Sequence, residues 1–246
     1  MKLNLYGLMI GLGILAAFRA SEWLAKKRKI DKKIIENGFW WVIIGGIVGA
    51  RLYHVIDLWD ELYRNNPLQI IKVWEGGLGI WGAVVGGELA LAIYAKTQEL
   101  KKSKTQSLLT LLDVGLFGLP LGQAIGRLGN FFNQELYGRV TDLPWGILIE
   151  GQMGKFHPLF AYEAVLNLVL FGLLVLSLRS RMTTRAGVIT GLYLIGYGVI
   201  RFGLEPLRPD AIVWKIVGLP TASLISILSI FLGLLFFLSK LGEKGK

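Results

Sequence analysis

The richest chemistry in this chain lies in one run, Gly126-Arg127-Leu128-Gly129-Asn130-Phe131-Phe132-Asn133-Gln134-Glu135. The planar fork of an arginine matches the oxygens of a phosphate. Asn130 and Asn133 add amide donors beside it. A polar turn closing a capped helix has much the same composition, and by the residues alone that reading outweighs the phosphate one. A second run, Glu75-Gly76-Gly77-Leu78-Gly79, opens an apolar stretch. Bare backbone N–H groups at a helix start, with the positive end of the dipole, favour an anion there, although glycine-rich helix entries are common in membrane bundles. Arg51, His54 and Asp57 share one helical face by their i, i+3, i+6 spacing. Arg201 and Glu205 form an i, i+4 pair, with Arg208 and Asp210 just beyond. An ionisable group at membrane depth costs about 2.5–3.5 kcal/mol on insertion scales, so such groups are functional candidates, and snorkelling is the weaker competing reading for Arg51 or Arg201 taken singly. Their convergence on one face argues for a site. Arg19 snorkels at the other end of its helix, and Glu88 and Asp113 read as packing or helix-end residues.

These residues hang between seven apolar runs, at about 3–24, 39–56, 78–95, 108–125, 158–178, 187–204 and 219–238. Each approaches the ~20 residues that cross ~30 Å of hydrocarbon. The expectation is an all-α integral membrane protein, a single domain of about seven transmembrane helices. Residues 127–157, with Pro144 and Trp145, form a small extracytoplasmic cap between the fourth and fifth. The composition agrees, at 53% hydrophobic and 18% charged, where soluble domains carry about 25% charged residues. The 32 glycines suit closely packed helices in lipid. There is no cysteine, which excludes disulfides, thiolate metal sites and an enzyme thiol as nucleophile. The first run is too long for a signal-peptide core and is expected to be retained.

The net charge of +10 is unevenly placed. Lys26, Lys27, Arg28, Lys29, Lys32 and Lys33 crowd the first loop, Lys96, Lys101, Lys102 and Lys104 the third, and Arg179, Arg181 and Arg185 the fifth. Lys240, Lys244 and Lys246 end the chain. The longer loops of the other face hold only Lys2, Arg64, Lys72, Arg127, Arg139, Lys155, Arg208 and Lys215. The positive-inside rule then puts the N-terminus outside and the C-terminus in the cytoplasm, which needs an odd number of spans. Basic residues split among short loops form no continuous patch, so nucleic acid is not an expected partner.

With those residues in view, the chain resembles the bacterial prolipoprotein diacylglyceryl transferases over essentially its whole length. The family's Gly-Arg-x-Gly-Asn-Phe-x-Asn-x-Glu-x-x-Gly run is matched by Gly126, Arg127, Gly129, Asn130, Phe131, Asn133, Glu135 and Gly138. Further matches are Tyr6-Gly7-Leu8-Met9, Trp74-Glu75-Gly76-Gly77-Leu78, His157-Pro158 with Tyr162-Glu163, and Tyr197 with Arg201, Glu205, Arg208 and Asp210. The resemblance implies a seven-helix enzyme of the bacterial cytoplasmic (inner) membrane whose site opens to the outer leaflet. Its substrates would be phosphatidylglycerol and lipoprotein precursor signal peptides with a lipobox cysteine, met within membrane lipid, and no cofactor or metal is implied. A diacylglyceryl group passes to the cysteine thiol and glycerol phosphate leaves. Arg127 and Arg201 are the expected stabilisers of the leaving phosphate, with Glu205 orienting Arg201. Asn130, Glu135, Gly138, Tyr6, Gly76, Gly77, Tyr197, Arg51 and His54 are the expected head-group residues, alongside Arg127. One departure stands out. Many members carry a histidine after the Gly-Gly-Leu segment, proposed as a base, where this chain has Trp81. Tryptophan accepts no proton, so the base stays unassigned, with His54 and His157 as candidates. His157, before Pro158, reads better as a helix cap.

Two other classes compete. A small anion transporter would need polar residues continuing across the bilayer, and the inner halves of the runs are mostly apolar. A lipid-binding protein without catalysis would bind phosphatidylglycerol but leave a cysteine peptide unmodified.

Overall fold

The computed structural model describes residues 5–98, 107–209, 213, 215–216 and 218–241. Lys2, Leu3, Lys101, Lys102, Lys104, Asp210, Lys244 and Lys246, used above, lie outside them. The described residues contain seven α-helices: α1 (Leu5–Lys27), α2 (Lys32–Asp57), α3 (Ile80–Thr97), α4 (Leu108–Phe132), α5 (Leu159–Ser177), α6 (Val188–Leu204) and α7 (Thr221–Leu241). Between them lie a π-helical turn (Trp59–Tyr63), short 3-10 turns and two short antiparallel strand pairs. The pairs are β1 (Ile147–Leu148) with β2 (Lys155–Phe156), and β3 (Lys215–Ile216) with β4 (Leu219–Pro220).

All the helices except α3 are long and apolar enough to cross a membrane. α3 has 18 residues and includes Glu88, Lys96 and three glycines, which dilute its apolar character. The outer surface of α7 is a sheath of large apolar side chains, among them Leu228, Phe231, Leu235 and Leu238, each more than half exposed or nearly so. Such a surface is stable against acyl chains and costly against water. The chain is an all-α multi-pass membrane protein.

Two compact units divide the chain, one formed by Met1–Leu24 with Leu112–Lys246 and the other by Ala25–Leu111. In the first unit, α1 and α4 meet through small residues. A Cβ placed on Gly13 would stand 2.7 Å from the Gly122 carbonyl oxygen, and one on Gly118 would run into the Ala17 carbonyl. Helix backbones touch here, which is how lipid-embedded helices gain packing without a hydrophobic drive. α6 and α7 meet in the same way at Gly191 and Gly233. Phe117 is fully buried, stacked on Trp23 at 5.8 Å and edge-on to Phe171 at 5.4 Å. In the second unit, α2 and α3 form a glycine-lined pair. A Cβ on Gly49 would lie 2.8 Å from the Gly86 Cα.

Several boundaries differ from expectation. α2 begins at Lys32, seven residues before 39, because the Asp31 carboxylate accepts from the Lys33 N–H and caps the helix. α3 starts two residues later than 78, at Ile80, because Gly79 is extended (φ −86°, ψ 125°) and occupies the cap position. The largest difference is in α4, which continues through Phe132 rather than ending at 125. Asn133 N–H still bonds the Gly129 carbonyl at 3.2 Å, and the chain turns only at Gln134, whose φ is 52°. The start of the expected cap, 127–132, is therefore helix. Asp113, expected as a packing or helix-end residue, is fully buried near the start of α4 and in addition caps a neighbour. Its carboxylate accepts from Gly187 N–H (3.0 Å), Thr190 N–H (2.8 Å) and the Thr190 hydroxyl (2.8 Å) at the entry to α6.

Candidate active site

Because α4 runs on, Arg127 and Asn130 project from one helical face, with Nη1 of the arginine 3.5 Å from the amide oxygen. Gly129 between them lets α1 approach. A Cβ there would lie 2.9 Å from Cδ2 of Tyr6. Tyr6 thus packs against the turn that presents Arg127. Asn130 is buried and its Nδ2 reaches Glu135 Oε2 at 3.4 Å, while Asn133 Nδ2 donates to Glu135 Oε1 at 3.1 Å. Glu135 itself is exposed.

The centre of the site is a residue that sequence reasoning did not place there. Glu163, on the first turns of α5, is only 3% exposed. Arg127 Nη2 donates to its Oε1 at 2.7 Å, and Arg201 Nη1 lies 3.7 Å from its Oε2. The Tyr197 hydroxyl, one turn before Arg201 on α6, is 3.5 Å from Oε1. Glu205, also buried, takes Arg201 Nη2 at 3.3 Å and Arg208 Nη1 at 3.5 Å on a single oxygen. The i, i+4 pairing of Arg201 with Glu205 is present as the spacing predicts. The result is a chain of ion pairs, Arg127–Glu163–Arg201–Glu205–Arg208, drawn from α4, α5, α6 and the 3-10 turn Glu205–Leu207 that follows α6. Three guanidiniums face two carboxylates, so the chain carries one uncompensated positive charge. Nε of Arg127 and Nε of Arg208 are buried with no hydrogen-bond partner among the described residues. Charge in excess and donors left over are what an anionic ligand would complete.

A signal for Glu163 was available. It is an acid inside an apolar run, and such a group is retained only with a partner. Nothing in its spacing named that partner, because Arg127 is 36 residues away.

The remaining cap residues frame this chain. Gly138 donates its N–H to the His157 carbonyl at 2.7 Å, and a Cβ on it would stand 2.7 Å from the Leu207 carbonyl oxygen. Its part is to let two strands of backbone cross. Next to it, Arg139 N–H bonds Leu207 O at 2.8 Å, and Arg139 Nε bonds Arg208 O at 3.0 Å. The His157 side chain does not cap α5. Pro158 occupies the cap position with no side-chain bond, and the imidazole Nδ1 instead meets the Tyr162 hydroxyl at 3.2 Å. Trp145 Nε1 donates to the same hydroxyl at 2.7 Å. The proline fixes the backbone and the ring is left free to turn toward Tyr162.

Arg51, His54, Gly76 and Gly77 belong to the second unit and form a different kind of centre. Arg51 is buried and spends all five N–H groups on backbone carbonyls. Nε bonds Ile70 O (2.8 Å), Nη1 bonds Gly76 O (2.7 Å) and Gly77 O (3.0 Å), and Nη2 bonds Gln69 O and, at 3.4 Å, Lys72 O. Its guanidinium also lies over the Tyr63 ring, 5.3 Å from the centroid. His54 Nδ1 meets the Tyr63 hydroxyl at 2.8 Å. Gly77, at φ 72°, must lack a side chain, since a Cβ would stand 2.7 Å from His54 Cε1 and 2.8 Å from Arg51 Nη1. The glycine carbonyls, rather than their N–H groups, face a charge here, and the charge is the protein's own. Asp57 is exposed and takes no part. Trp81 sits in the first turn of α3, 43% exposed.

The structure thus brings Tyr6, Arg127, Asn130, Glu135, Tyr197, Arg201, Glu205 and Arg208 into the first unit, with Glu163 at their centre. Arg51, His54, Gly76 and Gly77 cluster in the second.

Residues 1–239 match the family model described as prolipoprotein diacylglyceryl transferase. Among curated relatives, a protein of Synechococcus elongatus is 39% identical over 96% of this chain and 82% of its own length. One of Finegoldia magna is 38% identical over 94% of this chain and 88% of its own, and one of Trichormus variabilis is 37% identical over 93% and 82%. All three are named phosphatidylglycerol–prolipoprotein diacylglyceryl transferase.

Proposed function

Because the chain belongs to the prolipoprotein diacylglyceryl transferase family, we propose that it moves the diacylglyceryl group of phosphatidylglycerol onto the lipobox cysteine of lipoprotein precursors. The observation that carries the site assignment is the Arg127–Glu163–Arg201–Glu205–Arg208 chain, with its surplus positive charge and its two orphaned Nε donors.

The reaction forms a bond from the cysteine sulfur to the terminal glyceryl carbon and breaks the bond from that carbon to the phosphate oxygen. The electron pair leaves with glycerol phosphate, and the thiol proton ends on the released phosphate. Two groups need help. Charge grows on the leaving oxygen, and fixed cations in a site of low dielectric stabilise it without reorganising. Arg127 and Arg201 are held for that by the shared carboxylate of Glu163. The thiol, with a pKa near 8.5 in water, ionises more easily in the field of the same cations. Asn130, held by Glu135, and Tyr6, packed beside Arg127, supply the rim for the glycerol end of the head group.

The same reading gives the chain an address. It lies in the bacterial cytoplasmic membrane with the N-terminus outside and the C-terminus inside, so the arginine chain faces the outer leaflet. α3 counts as the seventh span, since 18 residues rise about 27 Å. The basic loops support this orientation.

Purified protein mixed with labelled phosphatidylglycerol and a lipobox-cysteine peptide should yield lipidated peptide and free glycerol phosphate. A folded preparation that makes neither would overturn the enzymatic reading. For the orientation, the absence of native cysteine is useful. A single cysteine at Glu150 should react with an impermeant maleimide in spheroplasts, and one at Lys29 should not. The reverse pattern would invert the topology.

A further inference from the structure

Below the arginines, on the side of Arg127 toward the bilayer centre, lies a polar pair that the proposed reaction does not use. Gln123 is one turn before Arg127 on α4, and Tyr193 is one turn before Tyr197 on α6. The Tyr193 hydroxyl stands 3.1 Å from Gln123 Nε2 and 3.4 Å from Gln123 Oε1. Tyr193 is 5% exposed, so this bond is made away from water. Its ring lies parallel to that of Tyr197, with centroids 5.7 Å apart and planes 5° from parallel. Tyr197 in turn points its hydroxyl at Oε1 of Glu163, the oxygen that also takes Arg127.

A half-buried amide and a buried phenol are expensive in hydrocarbon, and an apolar pair of the same size would pack these helices at lower cost. What the polar pair adds is direction. A tyrosine ring can turn about its Cα–Cβ bond, and the Gln123 bond fixes the outer edge of the Tyr193 ring. A ring fixed there presents one flat face, and Tyr197 is held against it. We infer that Gln123 and Tyr193 are positioning residues. They lock the Tyr197 ring so that its hydroxyl stays on Glu163, and so keep that carboxylate shared between Arg127 and Arg201. Neither touches the substrate. The influence runs from α4 through α6 to α5, by one hydrogen bond, one ring stack and a second hydrogen bond.

The inference rests on the proposed reaction for its assay, and a double-mutant cycle tests it. Tyr193→Phe keeps the ring and loses the bond to Gln123. Turnover at saturating phosphatidylglycerol should fall about tenfold, with KM changed less than twofold and the thermal midpoint within a few degrees of wild type. Gln123→Met should do the same from the other side of the bond, and should add nothing to Tyr193→Phe. In a Tyr197→Phe background, Tyr193→Phe should have no further effect on turnover, because the hydroxyl it positions is gone. Independent, multiplicative losses in that background would overturn the inference and leave a packing role. Unchanged turnover in both Tyr193→Phe and Gln123→Met, with an active wild type, would also overturn it. An inactive wild type would strike the proposed function instead.

Discussion

Arg51 and Arg127 both stand near the end of a long apolar helix, and their surroundings differ in kind. Arg51 lies over the Tyr63 ring, hydrogen-bonds only backbone carbonyls, five of them, and has no N–H left to give. Arg127 meets carboxylate and amide side chains and keeps a buried Nε unpaired. The first arrangement ties down residues 69–77, where two short 3-10 turns satisfy only some of the carbonyls. The second leaves a positive charge and a buried donor that an anion could take up. Residue type and helix position are the same in both. The partners separate a staple from a site.

The comparison breaks most readily at Glu163. Glu163→Leu should strip Arg127 and Arg201 of their shared counter-charge, cost about 3–5 kcal/mol of stability, and abolish peptide lipidation. Lipidation within a few fold of wild type would place the centre elsewhere. Arg127→Lys keeps the charge and loses the fork. Lipidation should drop about a hundredfold, in line with the loss of one preorganised donor, while the thermal midpoint barely moves. For Arg51 the expected order is reversed. Arg51→Met should cost about 2 kcal/mol through lost charge-assisted bonds and expose residues 64–79 to limited proteolysis, with lipidation falling only as folded protein is lost. An Arg51→Met protein that melts like wild type but cannot bind phosphatidylglycerol vesicles would turn the staple into a head-group ligand. The smallest effect should come from Tyr63→Phe, which removes the 2.8 Å bond to His54 but keeps the ring under Arg51. A loss of about 1 kcal/mol in a denaturation curve, without change in turnover, fits the structural reading of that unit.

Much of this was legible before any coordinates. Six of the seven apolar runs became helices of spanning length and character, and α3 became a helix as well. The Gly126–Glu135 run is recognisable by its match to the family signature, since by composition alone it reads equally as a polar turn closing a helix. What stayed hidden follows a physical pattern. Partners close in sequence were readable, as with Arg201 and Glu205. Partners far apart were not, as with Glu163 and Arg127. Backbone partners left no trace at all, since a carbonyl belongs to every residue. That is why Arg51 and Gly76 looked like ligands for a phosphate and instead form contacts with each other. The end of α4 was misjudged for another reason. Asn130 and Gly129 resemble a helix stop, yet Gly129 is there so that Tyr6 can press against the helix.

The Asp113 contact has a consequence for how the protein is made. The ribosome delivers α4 well before α6, with 77 residues separating Asp113 from Thr190. During that interval the carboxylate lacks the three donors that α6 brings, and the first amides of α6 will lack their acceptor until the two helices meet. The bonds between Asp113 and the entry to α6 therefore form only after both helices have been made. Synthesis that stopped before residue 187 would leave all three of those bonds unmade, so the seam between α4 and α6 is among the later contacts to close.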